Sequence, residues 1–135
     1  MEQLRWEAQQ VSETILIFIG AGIGGVFRFW VSTISYWLLG RQFPYGTLIV
    51  NVTGCFLMGL LFVLILERFN GMGPSLRSLL LIGLLGGYTT FSSFSIETLN
   101  LFENGAIISG ALNILLSVTL CIAATWLGVI GGRQI

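Results

Sequence analysis

The run Gly86-Gly87-Tyr88-Thr89-Thr90-Phe91-Ser92-Ser93-Phe94-Ser95 gathers hydroxyls, aromatic rings and glycines inside an apolar stretch. Adjacent glycines weaken a helix through backbone entropy, and the two threonines after them are β-branched. A helix broken at membrane depth frees carbonyls and N–H groups that lipid cannot satisfy. Breaks of that kind hold the cargo of transporters and channels. Phe91 and Phe94, three apart, share a helical face, with Ser92, Ser93 and Ser95 around them. Hydroxyls and ring edges are neutral donors, suited to replacing the water around a small ion. Taken singly, each residue also reads as a part of a kinked helix, rings in the core and serines bonded to backbone. The run as a whole points to function.

Other polar residues lie in apolar surroundings. Asn51 stands one helical turn after Thr47 and just before Gly54; it reads as interhelical glue or as a donor amide on a pore wall. Arg28 sits among Phe27, Phe29 and Trp30. A cation at the centre of a crossing costs about 2.5–3.5 kcal/mol, so Arg28 either snorkels or bonds helix-end carbonyls, or else lines a wet vestibule that attracts anions. Glu97 falls three after Phe94 on the same face, as a solvated interfacial carboxylate, a guard at one pore mouth, or a partner of a neighbouring hydroxyl. Ser109, Asn113, Ser117, Cys121 and Thr125, each four apart, draw a polar line along one helix, drifting about 40° per step. A neighbouring helix or a small ion could follow it.

The elements that position these residues follow from composition. The chain has 135 residues, 55% hydrophobic and 9% charged, with mean hydropathy +0.91. Soluble domains carry roughly a quarter charged residues, so this is a membrane protein. Six arginines balance six glutamates, and Lys, Asp and His do not occur. That removes a basic nucleic-acid patch and any histidine-based catalytic or metal site; no enzyme chemistry is indicated. Cys55 and Cys121 lie in apolar segments without a CxxC spacing and are expected to be buried, reduced packing thiols. The N-terminus lacks the basic region of a cleaved signal peptide.

Four crossings are predicted, at residues 14–39, 47–66, 76–101 and 106–130, each near or above the roughly 20 residues a bilayer requires. Residues 1–13 are expected to be a short interfacial helix or a frayed tail. Gly20, Ala21, Gly22, Gly24 and Gly25 make a small-residue face that wants another helix against it. Residues 40–46 and 103–105 are turns, residues 70–74 form the longest polar loop, and Pro74 suits a helix start. The reading is an all-α membrane protein, one domain over residues 1–135, both termini on one side. Arg5, Arg68, Arg77 and Arg133 against Arg41 lean mildly towards termini inside. Four helices enclose little volume, so a homo-oligomer is expected.

Three motifs together carry a resemblance over all four segments. They are Gly24-x-x-x-Arg28, Pro44-x-Gly46-Thr47-Leu48-x-x-Asn51-x-x-Gly54, and Gly86-Gly87-x-Thr89-Thr90-Phe91-Ser92-x-Phe94-Ser95-x-Glu97. They resemble the CrcB/Fluc fluoride channels, and the Thr-Thr-Phe-Ser run is the specific part. The resemblance implies an antiparallel, dual-topology homodimer with two separate pores in the cell inner membrane. It implies a structural sodium ion at the dimer centre, on the backbone carbonyls of Gly86 and Thr89 in a third helix broken at mid-membrane. By position, Phe91 and Phe94 become the aromatic pair facing the fluoride paths, with Asn51, Ser92 and Ser93 along them, then Asn113 and Ser117. Arg28 falls to the vestibule and Glu97 to a pore mouth. The implied activity is passive export of fluoride that lowers its cytoplasmic toxicity.

Residue chemistry agrees from its own side. Fluoride is small and strongly hydrated, so a conductor needs many weak donors without a deep trap. Hydroxyls, amides and the positive edges of phenyl rings are such donors. A small multidrug-type exporter, the alternative reading, also uses four short helices in dual topology. It wants a carboxylate deep in its first crossing, and residues 15–39 contain none. An inert scaffold subunit would show the glycine faces without the Thr-Thr-Phe-Ser core.

Overall fold

The computed structural model describes residues 1–68 and 73–135. The polar loop expected at 70–74 lies outside the described residues except for Gly73 and Pro74, which open the third helix. Helix α1 runs Glu2–Leu39 and α2 Tyr45–Arg68. Helix α3, residues 73–88, begins with an α-turn (Gly73–Leu76), continues as a wider π-wound stretch (Arg77–Leu85), and closes with one α-turn (Gly86–Tyr88). Helix α4 is Phe91–Glu103 and α5 Ile107–Gln134. With α3 and α4 taken as one interrupted segment, four stretches among the described residues are long and apolar enough to cross a membrane. An even number of crossings returns both ends of the chain to one side.

Helix α1 is longer than its expected crossing. Residues 2–13 continue it without a break, so neither a separate interfacial helix nor a frayed tail is present. Its 38 residues extend about 57 Å at 1.5 Å per residue, against a hydrocarbon layer of about 30 Å. The helix therefore tilts or projects from the bilayer. It ends at Gly40, whose φ of 84° lies in the left-handed region open to glycine.

Small residues decide the packing. A Cβ on Gly20 would strike the Leu79 carbonyl, and one on Gly24 the Leu84 carbonyl. The α1 and α3 backbones can meet there only because neither glycine carries a side chain. Gly22 faces open space, so the small-residue face is narrower than the sequence suggests. The same device joins α2 to α5: Gly59 abuts the Thr125 carbonyl and Gly128 the Phe56 carbonyl. Going up both helices, Gly128 meets Phe56 and Gly132 then meets Leu60, so α2 and α5 run parallel. Replacing Gly24 with Val is expected to destabilise the fold by roughly 1–3 kcal/mol through overpacking. Thermal unfolding in detergent measures it, with Gly22→Ala as a control expected to shift stability by less than about 0.5 kcal/mol. Equal stability of parent and Gly24→Val would contradict this packing.

The buried apolar core is small, centred on Ile65, Leu81 and Leu85. Most large side chains, including Phe18 and Trp37, face outward, as lipid-facing helices require.

Candidate functional site

The third segment is interrupted at Thr89–Thr90, where both residues adopt extended backbone (ψ 158° and 115°). The adjacent glycines do not themselves break the helix: Gly86 is helical (φ −63°, ψ −37°). Gly87 instead lets α3 lie against Ala21 of α1.

The polar groups of Thr89 and Thr90 at the interruption find partners. Asn51 closes a two-bond clamp on Thr90: its Oδ1 accepts the Thr90 N–H at 2.8 Å and its Nδ2 donates to the Thr90 carbonyl at 3.0 Å. A carboxamide has the one donor and one acceptor that a single extended residue demands. The Thr90 hydroxyl caps α4 by accepting the Ser93 N–H at 3.1 Å. It also lies 3.1 Å from the hydroxyls of both Ser92 and Ser93. The Thr89 N–H and hydroxyl both return to the Leu85 carbonyl, each at 2.9 Å. The Thr89 carbonyl receives the Arg28 guanidinium at 3.5 Å, so of the two readings of Arg28 the geometry contains the bond to a helix-end carbonyl. In an unbroken helix the Thr90 N–H would close onto the Gly86 carbonyl; Asn51 takes it instead.

Beyond the interruption, Phe91 and Phe94 stand with ring centroids 5.3 Å apart and planes tilted by 47°. Their surroundings differ. Phe94 is buried at 9% exposure, whereas Phe91 is 77% exposed. Both rings, with Asn51, Thr89, Thr90 and Ser117, line a cavity of about 400 Å³.

A hydrogen-bonded line leads away from Phe94. Its carbonyl accepts the Thr98 hydroxyl at 2.6 Å, and the Thr98 oxygen accepts the Asn113 amide at 2.8 Å. The Ser117 hydroxyl donates to Asn113 Oδ1 at 3.5 Å. Asn113 is fully enclosed at 1% exposure, so its amide needs these partners. Asn113 thus ties the polar line along α5 to α4, and Ser117 bonds to it from within α5. Cys121 continues the line into the cavity beside Ser117, and Thr125 bonds back to its own helix at the Cys121 carbonyl.

Glu97 bonds two hydroxyls. Its Oε1 accepts from Tyr36 and from Thr47, each at 2.9 Å, which ties α4 to α1 and α2. Its Oε2 is buried and unpartnered among the described residues. Glu97 borders a second cavity of about 660 Å³, with Tyr36, Arg41 and Asn100.

The geometry therefore brings together Asn51, Ser92, Ser93, Phe91, Phe94 and Ser117 around one cavity or at its capping hydroxyl, with Asn113 directly behind. Glu97 stands apart at the second cavity. Sequence reasoning missed Tyr36, Thr98 and the capping role of Thr90. Thr90, a threonine at a helix start, was a legible N-cap; nothing local marked Tyr36.

Over residues 15–129 the chain matches the family described as CrcB-like protein, Camphor Resistance (CrcB). It is 64% identical over 121 residues to the fluoride-specific ion channel FluC of Coxiella burnetii, covering 90% of this chain and 98% of that protein. To the protein of the same name from Magnetococcus marinus it is 49% identical over 119 residues, 88% of this chain and 96% of the relative. The relative of that name from Methylococcus capsulatus is 51% identical over 119 residues, 88% of this chain and 52% of its own length. A match that takes in every crossing, at identities this high, leaves one conclusion: the chain belongs to the CrcB-like family of membrane proteins.

Proposed function

We propose that this protein is a fluoride-selective channel, a passive conductor and not an enzyme, which lets fluoride leave the cell and so lowers its cytoplasmic toxicity. The observation that carries the reading is the ring of neutral donors around the interruption. Phe91, Phe94, Asn51 and Ser117 border one cavity, and Thr90 collects the hydroxyls of Ser92 and Ser93. The relatives' shared name, fluoride-specific ion channel, supports it.

Fluoride sheds its water only if each step offers replacement donors, and leaves only if none binds too well. The rings present edges whose hydrogens carry partial positive charge. The Ser117–Asn113 line continues the donors along α5. Arg28 raises the local anion concentration at the vestibule and Glu97 marks one mouth. The exporter alternative gains no support: the intramembrane carboxylate, Glu97, lies in α4 and is engaged by two hydroxyls. Liposomes loaded with fluoride and chloride provide the test. With a potassium ionophore present, the reconstituted protein releases fluoride, read by a fluoride electrode, and retains chloride. Equal release of both ions, or neither, contradicts the reading.

The working unit in this proposal is an antiparallel, dual-topology homodimer in the inner (plasma) membrane, each chain a single four-helix domain over residues 1–135. Its two interrupted third segments cross at mid-membrane. A structural sodium ion suits that crossing. The Gly86 carbonyl has lost its helical partner to Asn51, Gly86 is exposed, and the Thr89 carbonyl holds one long bond. Two such oxygens per chain form a neutral set, fit for a hard monovalent cation; calcium takes six to eight oxygens, usually with carboxylates. Sodium and Arg28 would compete for the Thr89 carbonyl. Exhaustive sodium removal is expected to shift the protein from dimer towards monomer on size exclusion, and a cysteine tag at one terminus is expected to react from both membrane faces. Dimers indifferent to sodium would remove the ion from this assembly, and one-sided labelling of fully active protein would remove dual insertion.

A further inference from the structure

The chain's two cysteines meet at a place the fluoride path leaves unexplained. Helices α2 and α5 run parallel where Gly59 abuts the Thr125 carbonyl. Cys55 and Cys121 each lie four residues, about one helical turn, before those contact points. The register therefore sets the two residues side by side. Both thiols are free and half-buried, and both line the cavity that Asn51, Phe91 and Phe94 border. Met58, three after Cys55 and so on the same face of α2, lines the same cavity as both cysteines. Three sulfur-bearing side chains border one space. The thiols are free, as expected, but half-buried on a cavity wall where buried packing thiols were expected.

We propose that Cys55 and Cys121, with the Met58 thioether as third ligand, form a binding site for a soft monovalent d¹⁰ metal ion, of which Cu(I) is the representative. Soft thiolate and thioether donors select Cu(I), whereas carboxylate and carbonyl sets suit hard cations. Among the described residues, no group of three or more His, Cys, Asp and Glu side chains gathers, so zinc lacks its usual four ligands. Binding involves no change of oxidation state. Each thiol that becomes a ligand releases its proton to solvent, and the copper remains Cu(I). Two thiolates on one Cu(I) leave a single negative charge.

Anaerobic titration of the purified full chain with Cu(I), against a chromophoric Cu(I) chelator, tests the site. Expected are one ion bound per chain and the ultraviolet thiolate-to-copper charge-transfer absorption. Cys55→Ser and Cys121→Ser each lower the affinity at least about tenfold, and the double variant loses the absorption. Met58→Leu weakens binding by a smaller factor and keeps the absorption. Circular dichroism and elution volume verify the fold of each variant. Where a cysteine variant fails to fold, alkylation of both thiols in the parent chain takes its place, with the same loss expected. Stoichiometric Cu(I) binding by the folded double variant or the alkylated chain overturns the site, as does the absence of charge-transfer absorption in the parent. Unchanged affinity in Met58→Leu overturns the thioether's part. Copper binding is read without fluoride flux, so failure here leaves the fluoride reading standing.

Discussion

Phe91→Ile and Phe94→Ile, made singly, are expected to leave at least one variant folded as a dimer yet stripped of most fluoride flux, on the order of tenfold or more. A tenfold loss corresponds to about 1.4 kcal/mol on the barrier, a size within reach of the ring-edge electrostatics that isoleucine lacks. Isoleucine keeps apolar bulk and removes the quadrupole, which separates ring chemistry from packing. The two positions divide the question further. Phe91 is 77% exposed, so its replacement disturbs little within the chain and gives the cleaner test. Phe94 is buried, its backbone carbonyl holds Thr98, and its replacement adds a packing loss. Methionine, flexible and polarisable, is expected to be better tolerated than isoleucine at either place. Liposome efflux normalised to dimer content measures all four variants. If both isoleucine variants fold and conduct like the parent, the rings serve packing alone.

Asn51→Asp is expected to have a larger effect, reducing both flux and stability. The carboxamide gives one donor and one acceptor to Thr90. A carboxylate accepts only, so the Thr90 carbonyl would lose its partner and face a negative oxygen. Leaving a buried acceptor unsatisfied costs roughly 1–3 kcal/mol. The new charge also lies on the cavity wall, where it repels an anion. Flux is therefore expected to fall below detection, and the thermal midpoint in detergent to drop. Asn51→Ala, which removes the clamp without adding charge, is expected to lose similar stability while retaining more flux than Asn51→Asp. Parent-like flux in folded Asn51→Asp would take Asn51 out of the ion path.

The residues that could be read from sequence are those whose partners are chemically obligatory. An asparagine inside an apolar segment has to bond something, so Asn51 was legible as interhelical glue or a pore-wall amide, while its partner Thr90, 39 residues away, was not. The crossings were legible as four apolar stretches, yet their ends were not: residues 2–13 extend α1 although their polar composition resembles a tail. The break lies in the run expected to hold it, on the two threonines and not on the glycines before them. Gly86 and Gly87 have the intrinsic preference to interrupt a helix, yet Gly86 stays helical and Gly87 packs on Ala21 of α1; the extended backbone falls on the β-branched pair that follows. Glu97 was left among three readings because Tyr36 is 61 residues away, and no local pattern links them. The π-wound stretch at Arg77–Leu85 carries no compositional mark.

The central claim is that an electrical, passive path passes fluoride and refuses chloride. Reversal potential across a planar bilayer tests it most directly, with fluoride on one side, chloride on the other, and a counter-ion common to both. The account predicts steady current whose reversal lies near the limit set by fluoride alone, with chloride contributing almost nothing, and loss of that current in Asn51→Asp. A reversal near zero, the sign of equal permeation, or fluoride movement without any current would contradict it.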